Sequence, residues 1–142
     1  MTSGYSGTPL PKKLGIKEGS RVALLNAPDG FLKTLGSLPA RVTVKDKSGA
    51  EADVIVLFAT KFSKLKNEFV KAMKMMPADG GMLWIAWPKK AAKMETDLDE
   101  SFIRDYGLSL GVVDTKVCAI DETWSGLRFN RRRASASSKG RV

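Results

Sequence analysis

The sequence has no histidine and a single cysteine, Cys118. Without imidazole there is no Ser-His or Cys-His activation of a nucleophile and no imidazole-ligated metal. One cysteine excludes an internal disulfide framework and a zinc site built within one chain, and it fits a reducing, cytoplasmic compartment. No apolar run approaches the ~20 residues that cross a bilayer, so no membrane partner is expected. The first residues, MTSGYSGTPL, lack the basic-then-apolar order of an export signal. Neither G-x-G-x-x-G nor G-K-[ST] occurs, so no glycine-rich phosphate cradle is written into the chain. Any chemistry falls to carboxylates, lysines, hydroxyls or a borrowed cofactor. No metal is expected, and nothing in the sequence identifies a cofactor.

What is present is ordinary in amount and uneven in placement. The chain has 142 residues, 43% hydrophobic and 27% charged, the profile of one globular domain. A chain of this size buries roughly 70% of its unfolded surface. The net charge is +9, and Arg131, Arg132, Arg133, Lys139 and Arg141 gather in a final stretch rich in Ser and Ala. Nothing there can form a core. The expected organisation is one domain over residues 1–133 and a basic flexible tail over 134–142. Solubility explains such a tail more simply than nucleic-acid binding, which ranks as the weaker reading.

The best-specified stretch is residues 53–90, DVIVLFATKFSKLKNEFVKAMKMMPADGGMLWIAWPKK. Residues 53–59 form an apolar run, β-branched at Val54, Ile55 and Val56, which suits a strand covered on both faces. Ser63 is placed to cap a helix on which Leu65, Phe69, Met73 and Met76 recur at helical spacing. Pro77 and the pair Gly80 and Gly81 end it. Residues 82–87 are a second apolar run, in which Trp84 is a core residue. Two buried strands joined by a helix make a right-handed βαβ unit, so they are parallel.

Upstream, Thr8 and Pro9 open a short helix that stops at Gly15. Residues 21–26 form the first buried strand, and Asn26-Ala-Pro-Asp29-Gly30-Phe31 follows it where a Rossmann-like chain carries its phosphate turn. Pro28 removes an N–H that a phosphate nest would use. Residues 31–38 are helical, and residues 41–45 alternate like a strand near an edge. Asp46 occupies the position of a ribose-binding acid, although a turn Asp is the commoner explanation. Downstream, residues 96–99 resemble a capping box for a helix bearing Leu98, Phe102, Ile103 and Tyr106 inward, with Gly107 as its stop. Residues 115–121 form a strand, 122–126 a turn, and 127–131 a final antiparallel strand. Cys118 lies inside a strand, where packing is favoured over reactivity.

The expected fold is therefore α/β: a Rossmann-like three-layer sandwich whose mostly parallel sheet of about six strands ends in an antiparallel hairpin. This order resembles a shortened class I methyltransferase, missing one strand-and-helix unit between residues 45 and 53. The wording is more specific. SGTPLPKKLGIKEGSRVALLNAPDGF, DVIVLFAT, LWIAWPKK and KVCAIDETWSGLRF resemble a bacterial family known as domain of unknown function 3052. The resemblance spans residues 4–132. It implies no catalytic residue, since that family is uncharacterised.

In an open α/β sheet, ligands bind beyond the carboxyl ends of the strands. That rule assembles a candidate rim of Asn26, Asp29, Thr60, Lys61, Trp87, Lys89, Lys90, Asp121, Glu122, Trp124 and Ser125. Ammonium groups beside indole faces suit a small anionic ligand with a flat ring. Asp121 and Glu122 could act as an acid/base pair or hold a hard cation. The plainer alternatives are that both tryptophans plug the sheet end, that residues 121–125 are hairpin chemistry, and that the lysines are solvated. The leading function is a non-catalytic module that binds a small anionic ligand or a protein partner, a second copy included. An S-adenosylmethionine-dependent methyltransferase-like enzyme using Asp121, Glu122 or Lys61 comes second, and nucleic-acid association third.

Overall fold

A computed structural model describes residues 8–132. Six strands form one sheet: β1 (Arg21–Leu25), β2 (Thr43–Lys45), β3 (Val54–Phe58), β4 (Met82–Pro88), β5 (Val112–Ala119) and β6 (Trp124–Arg131). Their order across the sheet is β2-β1-β3-β4-β6-β5. The first four in that order are parallel, and β6 runs antiparallel to both β4 and β5. The chain builds outward from β1 to β2, then crosses to the other flank of β1 to form β3. Between β2 and β3 only a short loop intervenes, with no room for a further strand and helix. The mostly parallel sheet and its terminal antiparallel hairpin match the expected fold class.

Alternation along each strand divides the core into two layers. One face of the sheet carries Ile55, Leu57, Leu83, Ile85, Leu127 and Phe129 against α3 (Phe62–Met75) and α4 (Glu100–Leu110). The other carries Val54, Val56, Phe58 and Trp84 against α1 (Leu10–Leu14) and α2 (Phe31–Leu35). Trp84 is fully buried, and its indole Nε1 donates to Leu14 O at 2.9 Å. The one polar atom of the largest core residue is thereby satisfied.

Three local signals resolve differently from the sequence reading. Gly107 does not stop its helix: α4 continues to Leu110 and ends at Gly111, whose φ of 102° is the left-handed cap. Gly107 instead faces the ring of Phe129, which leaves no room for a Cβ. Phe102 is 41% exposed, while Ile103 takes the inward position. The last strand begins at Trp124 rather than Leu127, so Trp124, Ser125 and Gly126 pair with β4 and the turn shrinks to residues 120–123. Arg131 closes β6, where the final strand was expected to end, and residues 134–142 lie outside the described residues.

At the amino end of β1, Arg21 forks onto Asp53: Nη2 donates to Oδ1 at 2.8 Å and Nε to Oδ2 at 3.1 Å. The Arg21 backbone N–H also donates to Oδ2, at 2.8 Å. These bonds hold the Asp53 carboxyl below the usual carboxylate range. A carboxyl depressed on folding contributes stability that is complete above its unfolded value, about pH 4, and is lost as pH falls through the lower folded value. Stability therefore declines below about pH 4, and Asp53→Asn flattens that part of the profile. Thermal melts across the acid range check this, with coincident slopes as the contrary result. The effect is modest, because both side chains are more than a third exposed and water screens the pair.

Candidate functional site

The carboxyl ends of β1, β2, β3 and β4 lie at one end of the sheet, where β5 also ends and β6 begins. All the expected rim residues sit at this end, but the chain divides it into three regions.

The first region is open and surrounds the end of β1. Asn26 leaves the strand in the left-handed conformation, φ 60°, which Asn tolerates better than most residues. Its Nδ2 donates to Glu68 Oε1 at 2.9 Å, fastening the turn to α3. Phe31 N donates to Pro28 O at 3.1 Å, and Gly30 takes φ 82°, so residues 28–31 fold into a compact turn. A cleft of about 940 Å³ opens on the α2 side of this turn. Its floor is apolar, from Leu24, Phe31 and Val44, and its rim carries Asp29, Lys45, Asp46 and Lys47. A second cleft of about 450 Å³ opens on the α3 side, with Leu25 and Leu57 below Glu68 and Lys71. Asn26, Asp46 and Lys47 line both. Asp46 and the two lysines beside it are missing from the sequence-derived rim. Their position at the end of the second strand is the available signal, outweighed by the frequency of Asp in turns.

The second region is closed by the chain itself. Residues 89–98 run as a strap over the ends of β3 and β4. Thr96 Oγ1 donates to Thr60 O at 2.7 Å, and Asp97 N donates to the same carbonyl at 3.3 Å. Asp97 Oδ1 accepts from Phe62 N at 2.8 Å. The amino end of α3 is thus capped by this carboxylate from the strap, not by Ser63, and the helix dipole there is already answered. Lys61 pairs with Glu95 at 3.2 Å. Asp99 caps the following helix by accepting from Phe102 N at 2.8 Å. Two acids of one short stretch therefore cap two different helices. Asp97→Ala is expected to cost about 1 kcal/mol and to speed hydrogen exchange at Phe62. Urea melts and amide exchange read both, and an unchanged Phe62 rate would remove the strap from the cap.

The third region flanks the β5–β6 turn, where a cleft of about 700 Å³ is bordered by Leu10, Pro11, Thr34, Ser37, Asp121 and Glu122. Asp121 Oδ1 accepts from both Thr123 N and Trp124 N at 2.8 Å, the pattern of an Asp that builds its own turn. Ser125, next along β6, pairs with Trp87 in β4.

Trp87 and Trp124 come to the same end of the molecule, at adjacent registers of β4 and β6. They point to opposite faces: Trp87 belongs to the α3–α4 core and Trp124 to the α1–α2 core, 7% and 8% exposed. Trp124 stacks edge-on against Phe58 at 5.1 Å. The indoles seal two separate cores and share no cage. Lys89 is tied by its backbone N–H to Thr123 O at 2.8 Å, and Lys90 begins the single 3-10 turn Lys90–Ala92. Among the described residues, the cation lying over an indole is Arg128 over Trp84, at 5.9 Å.

No group of three or more His, Cys, Asp or Glu among the described residues could hold a metal ion. Burial pushes the Cys118 thiol above its ordinary value, leaving it protonated and slow to react at neutral pH. No helix of the described residues is long and apolar enough to cross a membrane.

Comparison with known proteins bears on the fold. No protein-family model matches the chain, and no curated protein matches it in sequence. Among solved structures it is similar to the N-methyltransferase NodS from Bradyrhizobium japonicum WM9, solved with S-adenosyl-l-homocysteine. The TM-score is 0.56 at 14% identity, over 82% of this chain and 80% of that one. It is also similar to a SAM-dependent methyltransferase from Aquifex aeolicus, with TM-score 0.53 at 15% identity over 85% and 87% of the two chains. A protein of the NADB-Rossmann superfamily from Streptococcus agalactiae matches with TM-score 0.52 at 10% identity, over 96% and 73%. Identities this low establish a methyltransferase-like Rossmann fold and nothing finer.

Proposed function

We propose that the protein is a non-catalytic module that binds a small anionic ligand of nucleoside size at the end of β1. The observation that carries this reading is the meeting of two clefts at Asn26, Asp46 and Lys47. They meet where the chain reverses its direction of building across the sheet, the usual place for a ligand in such folds. The apolar floor of Leu24, Phe31 and Val44 suits a flat ring. Asp46 can accept from ligand hydroxyls, and Lys47, which lines both clefts, can face an anionic group. The absence of catalysis is supported by what two of the three candidate acid/base groups do instead. Asp121 holds its turn and Lys61 is paired with Glu95. We further propose that the chain belongs with the family known as domain of unknown function 3052, on the wording of residues 4–132.

Thermal-shift titration with S-adenosylmethionine, S-adenosyl-l-homocysteine, ATP and NAD tests the binding. The expected result is a Tm that rises with concentration for ATP or NAD, the two anionic probes, and is lost in Asp46→Ala with Lys47→Ala. Flat titrations with both would overturn it. The second reading, an S-adenosylmethionine-dependent methyltransferase-like enzyme, is favoured by the methyltransferases among the structural neighbours. Transfer of a labelled methyl group from the cofactor to any acceptor would select it over the first.

A further inference from the structure

Among the described residues strand β2 ends the sheet, and one side of it is unpaired. Thr43 N donates to Ser20 O at 3.1 Å, so Thr43 turns its backbone groups toward β1. Successive residues of a strand alternate, so Val44 turns its N–H and C=O outward. Among the described residues no hydrogen bond reaches them. The two faces of this edge differ in chemistry. Val44 pairs in register with Val22 and lies half-buried on the α2 side, with Val42 beside it. Val44 also forms one wall of the larger cleft, next to Leu32, which is 60% exposed. Thr43 and Lys45 project from the other face and are exposed, and Lys47, in the bend just past the strand, is exposed as well. The opposite edge of the sheet is protected: β5 is bulged between Asp114 and Lys116, and Lys13 Nζ donates to Ala119 O at 3.1 Å. Bulges and edge lysines both discourage further pairing.

We propose that the outer edge of β2 docks an extended segment of another protein in which apolar and acidic side chains alternate. A strand laid along β2 supplies partners to the Val44 N–H and C=O. It aims alternate side chains at the Val42–Val44 face and into the mouth of the cleft. The residues between them face Lys45 and Lys47, where carboxylates are complementary. A second copy of this chain is a poor occupant for the same reason. Two edges meeting antiparallel about a two-fold keep their faces. A register centred on Lys45 then sets that lysine against itself, and any two-fold register brings the exposed Lys45 and Lys47 of both copies to one seam. Like charges directly opposite oppose pairing, so the lysines that repel self-association select an acidic strand. The docking shares residues 44–47 with the proposed ligand cleft but does not depend on a small ligand binding there.

The test is titration of the isotope-labelled full chain with three synthetic octapeptides: alternating Val and Glu, alternating Val and Lys, and the Val–Glu peptide N-methylated on alternate residues. Amide exchange at Val44 and shifts along β2 are read by NMR. The Val–Glu peptide is expected to slow Val44 exchange and to bind roughly tenfold more tightly than the Val–Lys peptide. The N-methylated peptide, lacking donors on its pairing side, leaves Val44 unprotected. Lys45→Glu with Lys47→Glu reverses the preference between the first two. Equal binding of the acidic and basic peptides would overturn the proposal, as would binding without protection of Val44. Protection of Val44 that grows with protein concentration alone would assign the edge to a second copy instead. Small-ligand titrations are read separately by Tm, so failure of one reading leaves the other standing or falling on its own result.

Discussion

Replacing Gly107 with valine is expected to destabilise the domain by about 3 kcal/mol, and with alanine by about 1 kcal/mol. A Cβ on Gly107 would lie 2.6 Å from Phe129 Cζ and 2.9 Å from Cδ1, with Cε1 nearer still. The obstacle is a ring in the centre of the core, not the tip of a flexible chain. Phe129 is fully buried and rests against Phe69 at 5.4 Å. In a close-packed interior it has nowhere to retreat without moving α3. Overpacking of this kind costs about 1–3 kcal/mol. Alanine recovers about 1 kcal/mol of it, because glycine is the poorer helix former, and valine recovers less and adds two methyl groups. Truncating Phe129 to alanine opens a cavity but removes the clash. The double variant should therefore be more stable than the sum of the single losses by about 1 kcal/mol or more. Urea denaturation of the four proteins closes the cycle. A Gly107→Ala protein more stable than the parent, as at an exposed helical glycine, would show that the helix does not approach the sheet so closely.

Gly107 also shows what kind of signal the sequence carries. A glycine late in a helical pattern reads as a stop, because most such glycines are C-caps. That it is a packing gap depends on a phenylalanine 22 positions downstream, which no local pattern contains. Elements set by their own composition were legible. The β-branched run from Val54, the helical spacing of Leu65 and Phe69, and the apolar run around Trp84 gave β3, α3 and β4 and, through handedness, their parallel order. The short spacing between the second and third strands gave the shortened sheet. Capping was less legible, because a cap can come from a distant loop. Asp97 caps α3 from 35 positions away.

The rim was legible as an end of the molecule and less so as a surface. Strand direction brings Trp87 and Trp124 together at one end, and the register of β4 on β6 makes them neighbours along it. Which face each side chain takes depends on that register, and a shift of one residue exchanges the faces. Without it, the sequence left open whether the two tryptophans flank a ligand or plug the sheet end. The strap presented the converse difficulty. Thr60 and Lys61 follow a central strand and belong at the rim, yet hydrogen bonds from Thr96 and Asp97 fill that place. The open ground is instead at Asn26, Asp29 and Asp46, beside the strand where the sheet was cut short.

Arg131→Ala is expected to cost about 2–3 kcal/mol, while Arg132→Ala costs close to nothing. In sequence the two are neighbours in a basic stretch. In the structure Arg131 closes β6 by turning its guanidinium onto the carboxyl end of α3. Nε donates to Pro77 O at 2.8 Å, and Nη2 to Met76 O at 2.9 Å and Met73 O at 3.1 Å. Met73 O lies in the last turn of α3, where it also accepts from Met76 N, and Met76 and Pro77 carry the chain out of the helix; a cation there meets the negative end of the helix dipole. Asn130 Nδ2 donates to Gly81 O at 2.9 Å, so two successive residues fasten the turn that leads from α3 into β4. A hydrogen bond from a charged donor contributes more than a neutral one, and removing the donor also leaves Met76 O and Pro77 O without it. Lysine keeps the charge but has no fork, so Arg131→Lys should recover roughly half of the loss. Arg132 is exposed and serves as the control for charge alone. Denaturant midpoints of the three variants decide the matter: equal losses at 131 and 132, or full rescue by lysine, would mean that net charge rather than the fork holds the end of α3.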